Sequence, residues 1–451
     1  MENKNKSKSS KINLSQLVLL GLGSLIGSGW LFGAWEASSI AGPAAIISWI
    51  IGFIVIGTIA YNYIEIGTMF PQSGGMSNYA QYTHGSLLGF IAAWANWVSL
   101  VTIIPIEAVS AVQYMSSWPW EWAKPMGALM KDGSISTIGL FAVYVIIAIF
   151  SLLNYWSVKL LTSFTSLISV FKLGVPLLTI IMLMISGFDT NNYGHSASAF
   201  MPYGSAPIFA ATTTSGIIFS FNAFQTIINM GSEIKNPEKN IARGIAISLT
   251  LSAILYIVLQ STFITSMPSS MIHEHGWNGI NFNSPFADMA ILLGINWLAI
   301  LLYVEAVVSP FGTGVSFVAV TGRVLRAMEK NGHIPKFLGK MNEQYNIPRV
   351  AIAFNAIISM IMVTLFRDWG TLAAVISTAT LVAYLTGPTT VISLRKMAPK
   401  MTRPFKANIL KFMAPLSFVL ASLAIYWAMW PTTAEVIFII ILGLPIYFFY
   451  E

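Results

Sequence analysis

One lysine, Lys172, stands in the middle of an apolar run from about residue 160 to 186. Its neighbours, Ser169-Val170-Phe171-Lys172-Leu173-Gly174-Val175, offer it no counter-charge. A charged side chain at mid-bilayer costs about 2.5–3.5 kcal/mol on insertion scales, so such residues usually face a cavity and carry function. Lysine is also the basic side chain that loses its proton most readily on burial. Proton carriage is the chemistry this placement suggests, and pairing with a nearby acid is the alternative. About a dozen apolar residues on each side put Lys172 too deep to snorkel.

Two acids lie at similar depth, Glu107 within Ile103-Ile104-Pro105-Ile106-Glu107 and Glu305 within the apolar run at 286–318. Either can pair with Lys172 or relay a proton, or can serve as a neutral, hydrogen-bonded structural acid. Lys172, Glu107 and Glu305 are the candidate proton-coupling set. Glu65, near the end of the second apolar run, reads as an inner-gate or structural acid. Glu36 reads as facing an outer vestibule. His273-Glu274-His275 is too short a cluster, without further ligands, to define a metal site.

Two apolar runs carry helix breakers. The first reads Gly21-Leu22-Gly23-Ser24-Leu25-Ile26-Gly27-Ser28-Gly29-Trp30, and the sixth reads Gly216-Ile217-Ile218-Phe219-Ser220-Phe221-Asn222-Ala223-Phe224-Gln225. Unwinding a helix in lipid exposes backbone groups at a cost of several kcal/mol each unless they line a cavity or bind something. Freed N–H groups at a half-helix N-terminus can hold a carboxylate, and freed carbonyls can hold an ammonium. An α-amino acid carries both. The candidate substrate-binding residues are Ile26, Gly27, Ser28 and Gly29, with Phe219, Phe221, Asn222, Ala223, Phe224 and Gln225. Close helix packing through Gly23 and Gly27, a small-xxx-small pair, explains the glycines equally well.

These residues need a membrane scaffold. Of 451 residues, 55% are hydrophobic and 9% charged, against about 25% charged in soluble domains. Runs of about 17–28 apolar residues read as about twelve spans. They lie near 15–36, 42–66, 88–114, 136–154, 160–186, 209–231, 243–266, 286–318, 350–366, 370–394, 411–430 and 433–450. With a cytoplasmic N-terminus, 20 of the 24 basic residues fall on inner segments, Lys4 to Lys11 and Arg323 to Arg349 among them. That asymmetry places both termini in the cytoplasm of a cell-membrane protein. It accounts for the net charge of +7 without a nucleic-acid partner. The longest polar stretches are an inner loop at 323–349 and outer loops at 187–208 and 267–284. Trp118-Pro119-Trp120-Glu121-Trp122 reads as an interfacial belt. The chain stops at Glu451 directly after an apolar run, so it ends at the inner surface or is cut short. No cysteine is present, so there is no disulfide framework.

Broken runs five spans apart point to an inverted-repeat transporter with a mid-membrane site. Here the chain resembles the amino acid–polyamine–organocation (APC) superfamily. The first-span pattern reads Ile26-Gly27-Ser28-Gly29-Trp30-Leu31-Phe32, with one residue more before the Phe than is usual. Ala41-Gly42-Pro43-Ala44, then Glu65 with Pro71-Gln72-Ser73-Gly74-Gly75, follow in order. Glu233-Ile234-Lys235-Asn236-Pro237, Ile241-Ala242-Arg243-Gly244 and Gly322-Arg323-Val324-Leu325-Arg326-Ala327-Met328 complete the match. The resemblance implies an all-α fold of about twelve transmembrane helices. It divides into a basic tail at 1–14, a first repeat of five helices at 15–186, an inverted second repeat at 209–396, and two further helices at 411–451. It also implies that unwound spans one and six bind an amino acid. Lys172 matches the span-five lysine of the proton-coupled branch. In span six, where many relatives read Phe-x-Phe-x-Gly-Phe-acid, Ala223 and Gln225 depart from the pattern, replacing the glycine and the acid. The run Trp30-Leu31-Phe32-Gly33-Ala34-Trp35 and Ile103 to Glu107 are similar to the bacterial aspartate–proton symporters of the superfamily.

The expectation is a proton-coupled amino acid symporter working by alternating access, with L-aspartate as substrate. It needs no cofactor beyond the coupling H+, and its partners are the amino acid, protons and the lipid bilayer. Two buried acids with no membrane arginine keep a cationic amino acid or polyamine carrier or exchanger open. An enzyme is not expected, because no His, Asp and Ser constellation projects from adjacent turns. The sequence is compatible with a monomer or a homodimer.

Overall fold

The computed structural model describes residues 11–72, 74–156, 158–342 and 347–450, with side chains described except at 156, 158–167, 169 and 170. Most of the expected basic tail (1–10), Ser73 of the second-span motif, and Glu451 lie outside the described residues. Helices dominate. The one sheet among the described residues is a two-residue hairpin, Met130–Lys131 against Ser134–Ile135.

α1 (Leu14–Leu25) starts from a capping box in which Asn13 and Gln16 bond each other's amides. At Ile26 the backbone leaves helical dihedrals (φ −88°, ψ 84°), and α2 (Gly29–Ala41) begins after Ser28. The first apolar run is therefore interrupted at the expected glycine-rich stretch, into two half-helices. α3 (Ala45–Met69), α4 (Met76–Tyr79), α5 (Gln81–Met115), α6 (Thr137–Trp156) and α7 (Val158–Gly187) follow. After the short α8 (Ala197–Phe200) the sixth run is broken twice, into α9 (Ala206–Thr214), α10 (Ile217–Phe221) and α11 (Phe224–Asn229). The first of these breaks needs a glycine. Gly216 sits at φ +83°, where a Cβ would also meet the Trp369 ring at 2.6 Å.

α12 (Pro237–Ser266), α13 (Ser269–Gly279), α14 (Pro285–Leu292) and α15 (Asn296–Lys330) come next. The expected single span at 286–318 is thus overturned. Gly294 at φ +76° parts α14 from α15, and α14 is a separate short helix outside the spans. The expected inner loop at 323–349 is likewise shorter, because α15 continues helically to Lys330. The expected loops at 187–208 and 267–284 hold short helices. α16 (Lys336–Gly339), α17 (Arg349–Leu365), α18 (Trp369–Tyr384), α19 (Thr386–Met397), α20 (Leu410–Trp427), α21 (Thr432–Ile441) and α22 (Leu444–Tyr450) complete the chain. The tenth expected span divides at Leu385, and the twelfth at Leu442–Gly443.

Among the described residues, eight helical stretches are long and apolar enough to cross a bilayer, and four shorter apolar helices accompany them. The chain is an all-α polytopic membrane protein. α5 is its axis. Every residue from Ala92 to Tyr114 is buried, and α15 and α18 pack along it. A helix apolar on all sides belongs at the centre of a bundle. α20 and α21 instead expose Phe412, Val419, Tyr426 and Phe438, as helices facing lipid do. The broken elements meet. α1 packs on α11 and α2 on α10, with Gly29 facing Ser220 and Gly33 facing the Ser215 carbonyl. One end of the bundle is aromatic, gathering Trp118, Trp120 and Trp122 with Tyr303. The other is basic, where Glu65 meets Arg395 and Asn78 meets Asn331.

Candidate functional site

The break between α1 and α2 leaves backbone groups that side chains from three other helices partly satisfy. Lys172 of α7 is buried, and its Nζ donates to the Gly23 carbonyl at 2.8 Å and to Thr313 Oγ1 of α15 at 2.6 Å. Tyr256 of α12 donates its hydroxyl to the Leu25 carbonyl at 2.7 Å. On the far side of the break the Ser28 amide donates to both oxygens of Glu107 from α5, at 3.2 and 3.0 Å. Glu107 therefore caps α2 from another helix. A carboxylate at a helix N-terminus is favoured by the dipole, and here it takes the N-cap amide as the N3 acid of a capping box does.

Ser28 is free of that task, and its Oγ accepts from Trp369 Nε1 of α18 at 3.0 Å. Trp369 also stacks on Phe32, with ring centroids 5.0 Å apart, and stands edge-on to Phe219 at 6.1 Å. Leu31 N–H takes the Ser28 carbonyl at 3.0 Å. The amides of Gly29 and Trp30 find no acceptor among the described residues. The first four amides of a helix have no partner within it, so these two remain open to an anion.

A small pocket lies between the breaks. Gly27, Glu107, Phe219, Asn222, Ala223 and Thr313 are among its walls, and only about 10 Å³ is open to the centre of a water molecule. That is room for about one water. The walls must part before an amino acid enters. A Cβ at Gly27 would come within 2.6 Å of Glu107 Oε1 and 3.4 Å of Thr313 Oγ1, so the two side chains converge on one glycine. Thr313 in turn holds Lys172.

Below the pocket runs a polar network. Asn222 Nδ2 donates to Thr380 Oγ1 at 2.9 Å and to Ser99 Oγ at 3.3 Å. Gln225 Nε2 donates to Asn222 Oδ1 at 2.9 Å, and Tyr384 donates to the Asn222 carbonyl at 3.0 Å. Gln225 Oε1 is buried with no hydrogen-bond partner among the described residues.

The residues expected to bind substrate therefore divide. Gly27, Phe219, Asn222 and Ala223 line the pocket, while Ser28 and Gly29 form the helix start beside it. Gln225 reaches it only through Asn222. Ile26 is buried but not a wall. Phe221 packs on Trp49 and Tyr256, and Phe224 on Tyr384, so both serve the core. Of the proton-coupling set, Glu107 and Lys172 lie on two sides of the break. Neither the Glu107 nor the Glu305 carboxylate comes within 4.0 Å of the Lys172 ammonium. Both oxygens of Glu305 are buried without a hydrogen-bond partner among the described residues. Glu36 stands against Gly370, which a Cβ would bring to 3.1 Å of it.

Glu65 stands apart. It is fully buried and receives Arg395 Nε at 2.9 Å and Nη2 at 2.5 Å, with Arg403 Nε at 3.4 Å and the Ala407 amide at 2.8 Å. It fastens the connection after α19 to α3. At the aromatic end, α14 covers α2 through Phe286 on Trp30, centroids 5.7 Å apart. Asp288 accepts the Ser284 amide at 2.8 Å. Burial raises its carboxyl to about 6, and the Ser284 and Asn283 amides oppose that rise.

Thr313, Tyr256 and Trp369 escaped sequence reasoning. Hydroxyls in apolar runs usually bond their own helix four residues back, so Thr313 and Tyr256 carried no distinguishing signal. The small-residue run Gly312-Thr313-Gly314 is a signal of close helix approach, and a Cβ at Gly314 would meet the Phe150 ring.

The fold and this pocket define a membrane protein with a site between two interrupted helices. The sequence profile of the amino acid permease family matches residues 12–447. The glutamate/serine transporter AimA of Bacillus subtilis is 52% identical over 435 residues, spanning 96% of this chain and 80% of that protein. The aspartate-proton symporter of the same organism is 34% identical over 427 residues, covering 94% and 80%. Its branched-chain amino acid permease BcaP is 26% identical over 456 residues, covering 99% and 94%. The chain belongs to the amino acid permease family, within the APC superfamily, and is a membrane amino acid transporter rather than an enzyme.

Proposed function

We propose that this transporter carries acidic amino acids, glutamate and aspartate, together with serine, by proton-coupled symport. The observation that carries the reading is Lys172 bridging Gly23 and Thr313 beside a break whose Gly29 and Trp30 amides stand open. The substrate α-carboxylate takes those two amides, and its ammonium turns toward the carbonyls of α10. Lys172 holds α1 against α15 only while it donates to both. A change in its protonation alters that hold, and protonation of Glu107 withdraws the charge that caps α2. Both events fall on the hinge between the halves of the first span, which suits alternating access. The glutamate, serine and aspartate named for the two Bacillus relatives support this substrate class.

In this reading residues 15–186 and 209–396 are inverted halves, 411–451 are accessory helices, and the pathway crosses the cell membrane with both termini cytoplasmic. The basic end is then the inner one. The buried acid Glu305 favours a second reading, a carrier of cationic amino acids or polyamines. Labelled glutamate, aspartate and serine uptake into proteoliposomes, under an inward proton gradient with and without sodium, tests the first. Sodium-independent, gradient-driven accumulation is expected. Competition by arginine or putrescine, but not by glutamate, would replace it with the second.

A further inference from the structure

The last turns of α15 carry Arg323, Arg326 and Lys330, spaced three and four residues apart and hence on one helix face. All three line a cavity of about 570 Å³ at the basic end, with Gln72, Asn78 and Asn154 among its polar walls. Among the described residues, none of the three cations takes part in an ion pair. The contrast with the same end of α3 is direct, since there Glu65 neutralises Arg395 and Arg403. A preference for positive charge at this end explains why basic residues occur here. It does not require three of them to share one cavity with no acid among its described walls.

The cavity and the central pocket are both lined by α15. A smaller cavity lined by Thr226, Asn229, Val320 and Arg323 shares Arg323 with the large one. Above it, Thr313 and Phe317 of the same helix line the central pocket. α15 thus borders all three spaces, the central pocket on the Thr313 and Phe317 face and the large cavity on the adjoining face that carries the three cations, and Arg323 lies about 15 Å along the helix from Thr313, at 1.5 Å per residue.

We infer that Arg323, Arg326 and Lys330 form a second, carboxylate-attracting site, a cationic vestibule that an acidic amino acid occupies between the central pocket and solvent. This rests on the transport reading and extends it to substrate selection. A guanidinium presents paired donors to a carboxylate, and a cleft lined by one sign of charge raises the local concentration of the opposite ion. Glutamate or aspartate enters with net charge −1, whereas serine is a neutral zwitterion and gains little. For substrate arriving from the basic end, the vestibule separates the two classes before either reaches the break.

The test is the KM for glutamate and for serine in membrane vesicles of both orientations, for wild type and for the R323Q/R326Q/K330Q chain. In the orientation that exposes the basic end to the bath, the glutamate KM rises about five- to tenfold and the serine KM moves far less. In the other orientation both change little. The gap narrows in 0.5 M salt, because exposed charges are screened over about 3–10 Å there. The R323K/R326K chain keeps the charge, and with it the membrane orientation, and stays near wild type. Equal movement of both KM values, or an effect independent of orientation, overturns the vestibule and leaves transport standing. An effect seen only with anionic lipids present also overturns it, in favour of a headgroup phosphate site. A folded wild type that moves neither substrate overturns the transport reading itself.

Discussion

The Glu107 carboxylate takes the Ser28 amide through both of its oxygens, so an acid on α5 caps the helix that starts at Gly29. This joins a titratable group to the point where the first span is unwound. Glu107→Gln keeps one acceptor and loses the charge. Exchange of substrate across the membrane persists in that variant, while accumulation driven by a proton gradient falls at least tenfold. Glu107→Ala leaves the amide bare and loses both activities. Wild-type accumulation by the Gln variant would remove Glu107 from coupling.

Lys172 is the one described side chain bonded to both α1 and α15 at the break. Lys172→Ala frees the Gly23 carbonyl, an unmet buried acceptor costing about 1–3 kcal/mol. The expected result is a lower melting temperature and loss of proton-driven uptake, with counterflow retained. Lys172→Arg restores the bonds to neither partner in the same geometry and does not rescue coupling. Undiminished gradient-driven uptake by the Ala variant would end the proton-carrier reading.

Trp369 joins the start of α2 to α18 through Ser28 and Phe32. Trp369→Phe keeps the ring stack and drops the hydrogen bond, which is worth about 1 kcal/mol, or a roughly fivefold weaker KM. Trp369→Ala opens the pocket toward the aromatic end. Because the chain has no cysteine, Phe219→Cys gives a background-free reporter. Its thiol reacts faster with a polar maleimide in the Trp369→Ala background than beside the intact indole. Equal rates would mean that Trp369 does not close the pocket.

Glu65 is a buried acid facing two arginines. Removing one member of a buried charge cluster costs about 3–5 kcal/mol. Glu65→Gln in detergent is expected to melt several degrees lower, with the substrate KM unchanged among the molecules that remain folded. An unaltered melting curve would show that the cluster contributes specificity without stability.

Asp288 has its carboxyl raised by burial to about 6, above its unfolded value near 4. The folded protein therefore binds this proton more tightly than the unfolded chain does. Its contribution to stability is complete below about pH 4 and is lost as pH rises through about 6. Melting temperatures across pH 4 to 7.5 are expected to fall more for wild type than for Asp288→Asn, which cannot ionise but still accepts the Ser284 amide. Parallel curves would assign the raised value to another group.

The membrane class and the position of Lys172 were legible because composition and a lone charge are local properties of sequence. Both interrupted runs were legible from glycine and small-residue patterns. The separation of α14 from α15 was not, because hydropathy runs through Leu293-Gly294-Ile295 without a polar residue and only the φ +76° of Gly294 marks the corner. Phe221 and Phe224 flank the pocket wall in sequence but point away from it, since α10 and α11 are too short for a periodicity to assign faces. The Lys172 partner was illegible for a different reason. Thr313 lies 141 residues away, and a hydroxyl leaves no trace in charge or hydropathy.

The Glu65 cluster also fixes a point of measurement. It pins the Ala407 amide and both arginines of the 395–407 segment to a helix whose buried face touches α10 and α11. Lys400 lies in that segment and is exposed. A spin label or fluorophore there would ride with α3 as a rigid handle, so distance changes from it would record displacement of the scaffold rather than flutter of a loop.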